Sequence, residues 1–598
     1  MFILSFFFIL IITLTIYIYL ITSLKGVCFP SPKRSTDNEK IIAACNEISF
    51  FKWPSFMHSI KYNRSQLREY WTIAAKFITL FYKNKITDHV NINLSLISNI
   101  FSTVLIFLIL NKLFSLDIAV IFTLFYVLSL WPYHVASYMG HLHLSQSLFL
   151  FSIFFLLLYI DENFYFYAIF SGSLIAISFF SSSASRKYPI IYFFLIIFIY
   201  RNDQFLSYNN IFYFILSLFL ISLLVGIFYK KIKKTSTFIH WPYLALFLIF
   251  ILTFNINIEN IYSLILYSFG SLIIFLHILL PIKELKNNLI RYNYWLNNSS
   301  WASHFNSYPN KKQIFGKEIP ENFRGGGINW YHKLFLVFIP NIYIIYLISF
   351  LYIAYLFLYN YYFYQEINLV YLSILFLSIL PLLIHELTKG LKVGKALMTN
   401  LIFFIFLIAY SSNEFIKLYP DYILYFYIFF ILLLILQSIH TFFYLLTDII
   451  PSRMAPTILH NHLIKNNIKE FYTYNNSFNN SLVETMIYTY PNSFKVNYIE
   501  KLNEVKKGFI VIPSTSAKSV SVESEKYAIE NGDFNKDEEL NILISQKFKT
   551  VKILAKIKTM GASKFFVHES EVTTYRHLIL NQINYIDRYR GNAWIIEK

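Results

Sequence analysis

Cysteine is almost missing from this sequence: Cys28 and Cys45 are the only two, and both fall in one polar segment. That excludes zinc or iron–sulfur sites built from several cysteines. The two thiols either pair, if the segment faces an oxidising compartment, or sit as unrelated buried groups. Charge is thin as well: Asp, Glu, Lys and Arg make up 14% of the chain and hydrophobic residues 56%, for a mean hydropathy of +0.51. A soluble multidomain protein of 598 residues does not have that balance. Glycine is scarce (15 residues), and its one run of three, Gly325 to Gly327, lacks the spacing of a P-loop or a dinucleotide fingerprint. No nucleophile elbow, Walker sequence or metalloprotease helix occurs, which removes those hydrolase, nucleotide-binding and zinc-protease readings.

What the chain has in abundance is long apolar runs. Segments of roughly 17 to 25 such residues let a helix cross a hydrocarbon core with its backbone hydrogen bonds satisfied internally. By that criterion about 11 to 13 transmembrane helices are expected. They lie near residues 1–24, 95–114, 116–131, 144–160, 164–181, 188–200, 210–229, 240–256, 260–281, 333–360, 368–384, 397–412 and 420–446. The first has neither the basic start nor the small-residue cleavage site of a signal peptide and reads as a retained helix. Phe (64) and Tyr (48) are so frequent that aromatic rows read as lipid-facing or core packing. In so Asn-rich a chain, Asn-x-Ser/Thr matches such as Asn63 and Asn298 are expected by chance.

The fold class is therefore a polytopic α-helical membrane protein: a transmembrane domain over 1–446 with polar loops at 25–94 and 282–332, then a soluble α/β or α+β domain over 447–598. In that tail GFIVIPS, VKILAKIK, FFVHES and AWIIE read as strands. SEKYAIEN, KDEELNILISQ and TTYRHLILNQINYI read as helices between them. Basic residues of the short loops fall on one side: Arg186 and Lys187, the KKIKK run, and those of 282–332 and 389–395. The other side has Lys112, Arg201 and Lys417. Read by the positive-inside rule, the polar blocks are cytoplasmic, and nearly all polar chemistry gathers on one membrane face. The net charge of +18 fits contact with membrane lipids carrying anionic headgroups or phosphates. It does not fit nucleic acid, because the basic residues are spread along membrane loops.

Several motifs place chemistry at that face. After the first helix, PKRSTDNEKIIAACNEI sets Asp37 and Glu39 close to the membrane edge, either as a helix cap and its acidic first turn or as a general base beside a lipid-borne substrate. In SSSASRKYP, Arg186 and Lys187 either anchor a helix end at the interface or hold a lipid phosphate. ENFRGGGINWYHK joins Arg324 to a glycine run that lets backbone approach a ligand, or connects to an aromatic belt formed by Trp330, Tyr331 and His332. His134, His141 and His143 sit in a turn marked by Pro132 and Gly140. On an extended segment His141 and His143 would share a side. They read as headgroup-zone residues, or else as contacts to a phosphate or hydroxyl in preference to a pair of metal ligands. In the tail, His568, Glu569 and Glu571 read as a strand end and the acidic first turn of a helix.

A first transmembrane helix followed by an Asp-x-Glu pair resembles the GT-C superfamily of membrane glycosyltransferases. The resemblance continues through the run of helices from NINLSLISNI to LSLWPY and SLFLFSIFFLLL. The family commonly has an acidic residue in the turn where this chain has His141 and His143. The resemblance implies a multi-pass protein of a bacterial plasma (inner) membrane, with catalytic loops and tail facing away from the cytosol, opposite to the charge reading. It further implies transfer of a sugar from a polyprenyl-phosphate carrier to an envelope glycan, lipid or protein acceptor, with a lipid-linked sugar as substrate. Asp37 and Glu39 would then be catalytic, with or without a divalent cation, and Arg186, Lys187 and Arg324 would hold phosphate. Two other classes remain open: a transporter or flippase of lipid-linked or anionic substrates, and a scaffold in envelope-polymer assembly. Few ionisable residues lie inside the spans, which weakens an ion-coupled transporter.

Overall fold

The computed structural model describes residues 1–23, 87–136, 140–179, 258–279, 328–365, 367–387 and 397–445 of the apolar part. In the tail it describes 459–474, 492–499, 504–514, 552–560 and 590–597, and there are short pieces elsewhere, among them 181–182 and 187–189. The described apolar runs are helices: α1 (Phe2–Ser23), α2 (Thr87–Leu113), α3 (Leu116–Val127), α4 (Leu130–Ala136), α5 (Gly140–Glu162), α6 (Tyr165–Phe179), α7 (Ile258–Leu279), α8 (Ile328–Phe338), α9 (Pro340–Tyr364), α10 (Leu369–Leu387), α11 (Asn400–Leu418) and α12 (Ile423–Tyr444). Among the described residues six spans are long and apolar enough to cross a membrane, within α1, α2, α5, α9, α11 and the Pro420–Phe442 stretch that contains most of α12. This is an integral membrane protein. The expected spans at 210–229 and 240–256, and more than half of 188–200, lie outside the described residues, as do Cys28 and Cys45.

Two expected single spans are each two helices. The 333–360 segment divides at Ile339, because Pro340 takes the first position of α9, where its missing N–H costs nothing. The 116–131 segment divides after Val127, and the carbonyl freed at Leu128 accepts from the Thr441 hydroxyl and from Gln437 Nε2 of α12, the latter at 3.3 Å. Those two bonds fix which face of α12 turns inward. Its opposite face, with Leu424, Ile428, Ile431, Ile435 and Ile439, is exposed at helical spacing, as expected of a lipid-facing surface.

Large aromatic side chains fill the core. Trp131 of α4 is fully buried, stacked on Phe338 at 5.2 Å between ring centroids and edge-on to Phe335. Tyr331 is buried and hydrogen-bonds His385 Nδ1 at 2.9 Å, while His332 bonds the Tyr343 hydroxyl at 2.9 Å. Tyr331 thus does not face headgroups as an aromatic belt would. α6 and α7 meet backbone to backbone: a Cβ on Gly172 would lie 1.9 Å from the Tyr267 carbonyl oxygen, and one on Gly270 would lie 2.0 Å from that of Ile169. Ser173 Oγ donates to the Gly270 carbonyl at 3.0 Å, and Ser271 Oγ to the Gly172 carbonyl at 2.7 Å. Small residues allow this approach, and hydroxyls reinforce it where no water competes.

The tail holds a five-stranded sheet of β1 (Glu470–Tyr474), β2 (Lys495–Ile499), β3 (Phe509–Ser514), β4 (Lys552–Met560) and β5 (Arg590–Glu597), in the order β2-β1-β3-β5-β4. β1 runs parallel to β2 and β3, whereas β5 is antiparallel to β3 and β4. Leu459, Leu463, Phe471, Val483, Met486, Val511 and Ile595 form its core. The runs GFIVIPS, VKILAKIK and AWIIE match strands; FFVHES and the three expected helices lie outside the described residues.

Candidate functional site

Asp37, Glu39, Arg186 and Arg324 lie outside the described residues, as do His568, Glu569 and Glu571. Lys187, His141 and His143 are within them. The two histidines belong to the first turn of α5, not to an extended turn. The described part of the helix begins at Gly140, and from Leu142 onward nearly every residue is apolar or small. His143 is fully buried, and the Pro132 carbonyl lies beside its ring without reaching hydrogen-bond geometry.

The start of α5 is the hub of a polar cluster. Asn99 of α2 donates to the Tyr17 hydroxyl of α1 and accepts from the Tyr126 hydroxyl of α3. Gln146 Nε2, one turn beyond His143, donates to Tyr126 at 2.7 Å. Tyr133 of α4 donates to the Val127 carbonyl. Ser178, at the end of α6, donates to the Ser145 carbonyl at 2.6 Å, which brings the chain leading to Lys187 against the same end of α5. Tyr188 stacks on Phe149 at 4.4 Å, and its hydroxyl lies beside those of Ser145 and Thr399.

Lys187 is only 5% exposed. Taking an ammonium out of water disfavours its charged form, and burial pushes Lys187 down to about 7. A lysine at that value is half charged near neutrality and gains most from an anion brought beside it. Thr399, beside Tyr188, holds the N-cap position of α11 but makes no side-chain cap bond. The structure thus joins Lys187 and His143 to one end of the helices and adds Tyr188, Gln146, Thr399 and Asn400, which the sequence did not single out. Their only sequence signal is polarity at the edge of an apolar run. Among the described residues no three His, Cys, Asp or Glu side chains come together as a metal site would require.

No family model matches the chain and no curated protein matches it. Among solved structures, it is similar to the oligosaccharyltransferase of Archaeoglobus fulgidus in its apo form, at 10% identity, covering 89% of this chain and 71% of that one, with a TM-score of 0.44. The same enzyme tethered to an acceptor peptide containing the NVT sequon aligns at 10% identity over 99% of this chain and 88% of that one, with a TM-score of 0.40.

Proposed function

We propose that the protein is a membrane glycosyltransferase of GT-C type that moves a sugar from a polyprenyl-phosphate carrier to an envelope acceptor. The observation that carries this reading is Lys187: an amine buried at the end of the helical core, next in the chain to Tyr188, whose own hydroxyl lies beside those of Ser145 and Thr399. Burying a cation is costly, and a site that does so gains from a resident or visiting anion. A lipid-borne phosphate carries its charge at the membrane edge.

In the proposed reaction Asp37, supported by Glu39, takes the proton of the acceptor group as that group bonds to the sugar anomeric carbon. The bond from that carbon to the phosphate oxygen breaks, and the electron pair leaves with polyprenyl phosphate. Lys187, Arg186 and Arg324 neutralise the phosphate charge that develops. The test uses the full chain in liposomes with a hexosyl polyprenyl phosphate and envelope extract as acceptor. Asp37→Asn is expected to lower release of polyprenyl phosphate by roughly a hundredfold or more while carrier binding persists. Unchanged turnover in that variant overturns the reading. Carrier movement across the bilayer without turnover would favour a flippase, and neither activity would favour a scaffold.

A further inference from the structure

Buried polar side chains in these helices generally find a partner. The Ser102, Ser129 and Thr103 hydroxyls each bond a carbonyl one turn back, and Ser152 and Ser171 bond each other's carbonyls. Around Tyr126 and Tyr188 the pattern fails. Neither amide atom of Asn400, nor Gln146 Oε1, nor either ring nitrogen of His143, nor Thr399 Oγ1 has a hydrogen-bond partner among the described residues. All four are at most 5% exposed. Gln146 and His143 share a face of α5 one turn apart. Gln146 is bonded to Tyr126, the Thr399 hydroxyl lies beside that of Tyr188, and His143 and Asn400 are their neighbours at the starts of α5 and α11.

Resting on the proposed glycosyl transfer, we infer that His143, Gln146, Thr399 and Asn400 form a subsite for the hydroxyl groups of the sugar itself, distinct from the phosphate contact at Lys187. The donor and acceptor inventory decides the ligand class. A phosphate diester offers only acceptors, whereas a carboxamide open at both ends needs a donor and an acceptor together, as does a neutral imidazole. A sugar hydroxyl supplies both from one atom. Enclosure sharpens the choice, because a buried amide left unmet by a ligand lacking the matching hydroxyl costs its full desolvation.

The experiment measures binding to the full chain in nanodiscs of three probes: a hexosyl polyprenyl phosphate, bare polyprenyl phosphate, and a hexosyl diacylglycerol with no phosphate. The wild type is expected to hold the hexosyl carrier more tightly than the bare one. Asn400→Leu and Gln146→Met should each weaken hexosyl-carrier binding by about tenfold and leave the bare carrier unchanged. The second variant keeps side-chain length, so the readout survives if the first fails to fold. Loss of both ligands in equal measure, or of neither, overturns the subsite. Variant-sensitive binding of the hexosyl diacylglycerol, with no binding of bare carrier, would sustain the subsite and defeat the phosphate reading. Binding of no probe defeats both.

Discussion

The two ends of the helical core handle polarity in opposite ways. At one end Lys112, closing α2, pairs with Asp161, closing α5. Nearby in the fold's logic, Tyr427 donates to Asp117 at 3.0 Å, and Lys417 pairs with Glu414 at 3.0 Å. Apart from the Tyr427 phenol these groups are charged, they are at least partly exposed, and each has its complement. At the other end, where α5 and α11 begin, the polar side chains among the described residues are neutral apart from Lys187, deeply buried, and several are unmet. Paired surface charges hold helix ends in place and do little else. Unmet buried groups are an energetic debt that structure alone does not explain, and this is why function is sought at that end.

Three measurements would break or sharpen that contrast. The largest effect is expected from Asn99→Leu. It removes the donor to the Tyr17 hydroxyl and the acceptor of the Tyr126 hydroxyl in the core, and should destabilise the folded protein by about 2 kcal/mol in a denaturant titration. A cost near zero would mean that this end is no more committed than the other.

A middle-sized effect concerns Lys187. Its charge is lost as pH rises through about 7, so affinity for a phosphate diester, which does not itself titrate in this range, should fall about fivefold from pH 7 to pH 8. Lys187→Met should flatten that profile; a pH-dependence that persists in the variant would assign it elsewhere. The smallest effect belongs to Lys112→Met, where removal of a partly exposed pair should shift stability by about 0.5 kcal/mol or less.

Much of the helical part was legible in advance because length and apolarity suffice to mark a helix in lipid. Breaks were not read. The expected 333–360 span ran straight through Pro340, a local marker of one break, while the division after Val127 sits inside an otherwise apolar run, at Leu128 and Ser129. In the tail, β1 and β2 escaped notice because EFYTY and KVNYI are short and flanked by Asn-rich sequence, whereas β3, β4 and β5 carry continuous aliphatic runs. Lys187 was visible as a basic residue at a membrane edge; its burial was not. The Tyr17–Asn99–Tyr126–Gln146 chain could not have been read at all. Asn99 lies 82 residues from one partner and 27 from the other, and ordinary polar residues in apolar helices carry no sign of which helix they will meet.

The seam between α6 and α7 has a mechanical consequence. With each backbone seated in the other's missing side chain, and a serine pinned across in both directions, neither helix can slide or roll past its partner without collision. The two behave as a single strut. Any shape change during a working cycle must carry them together and take its flexure from other joints, such as the breaks after Val127 and before Pro340.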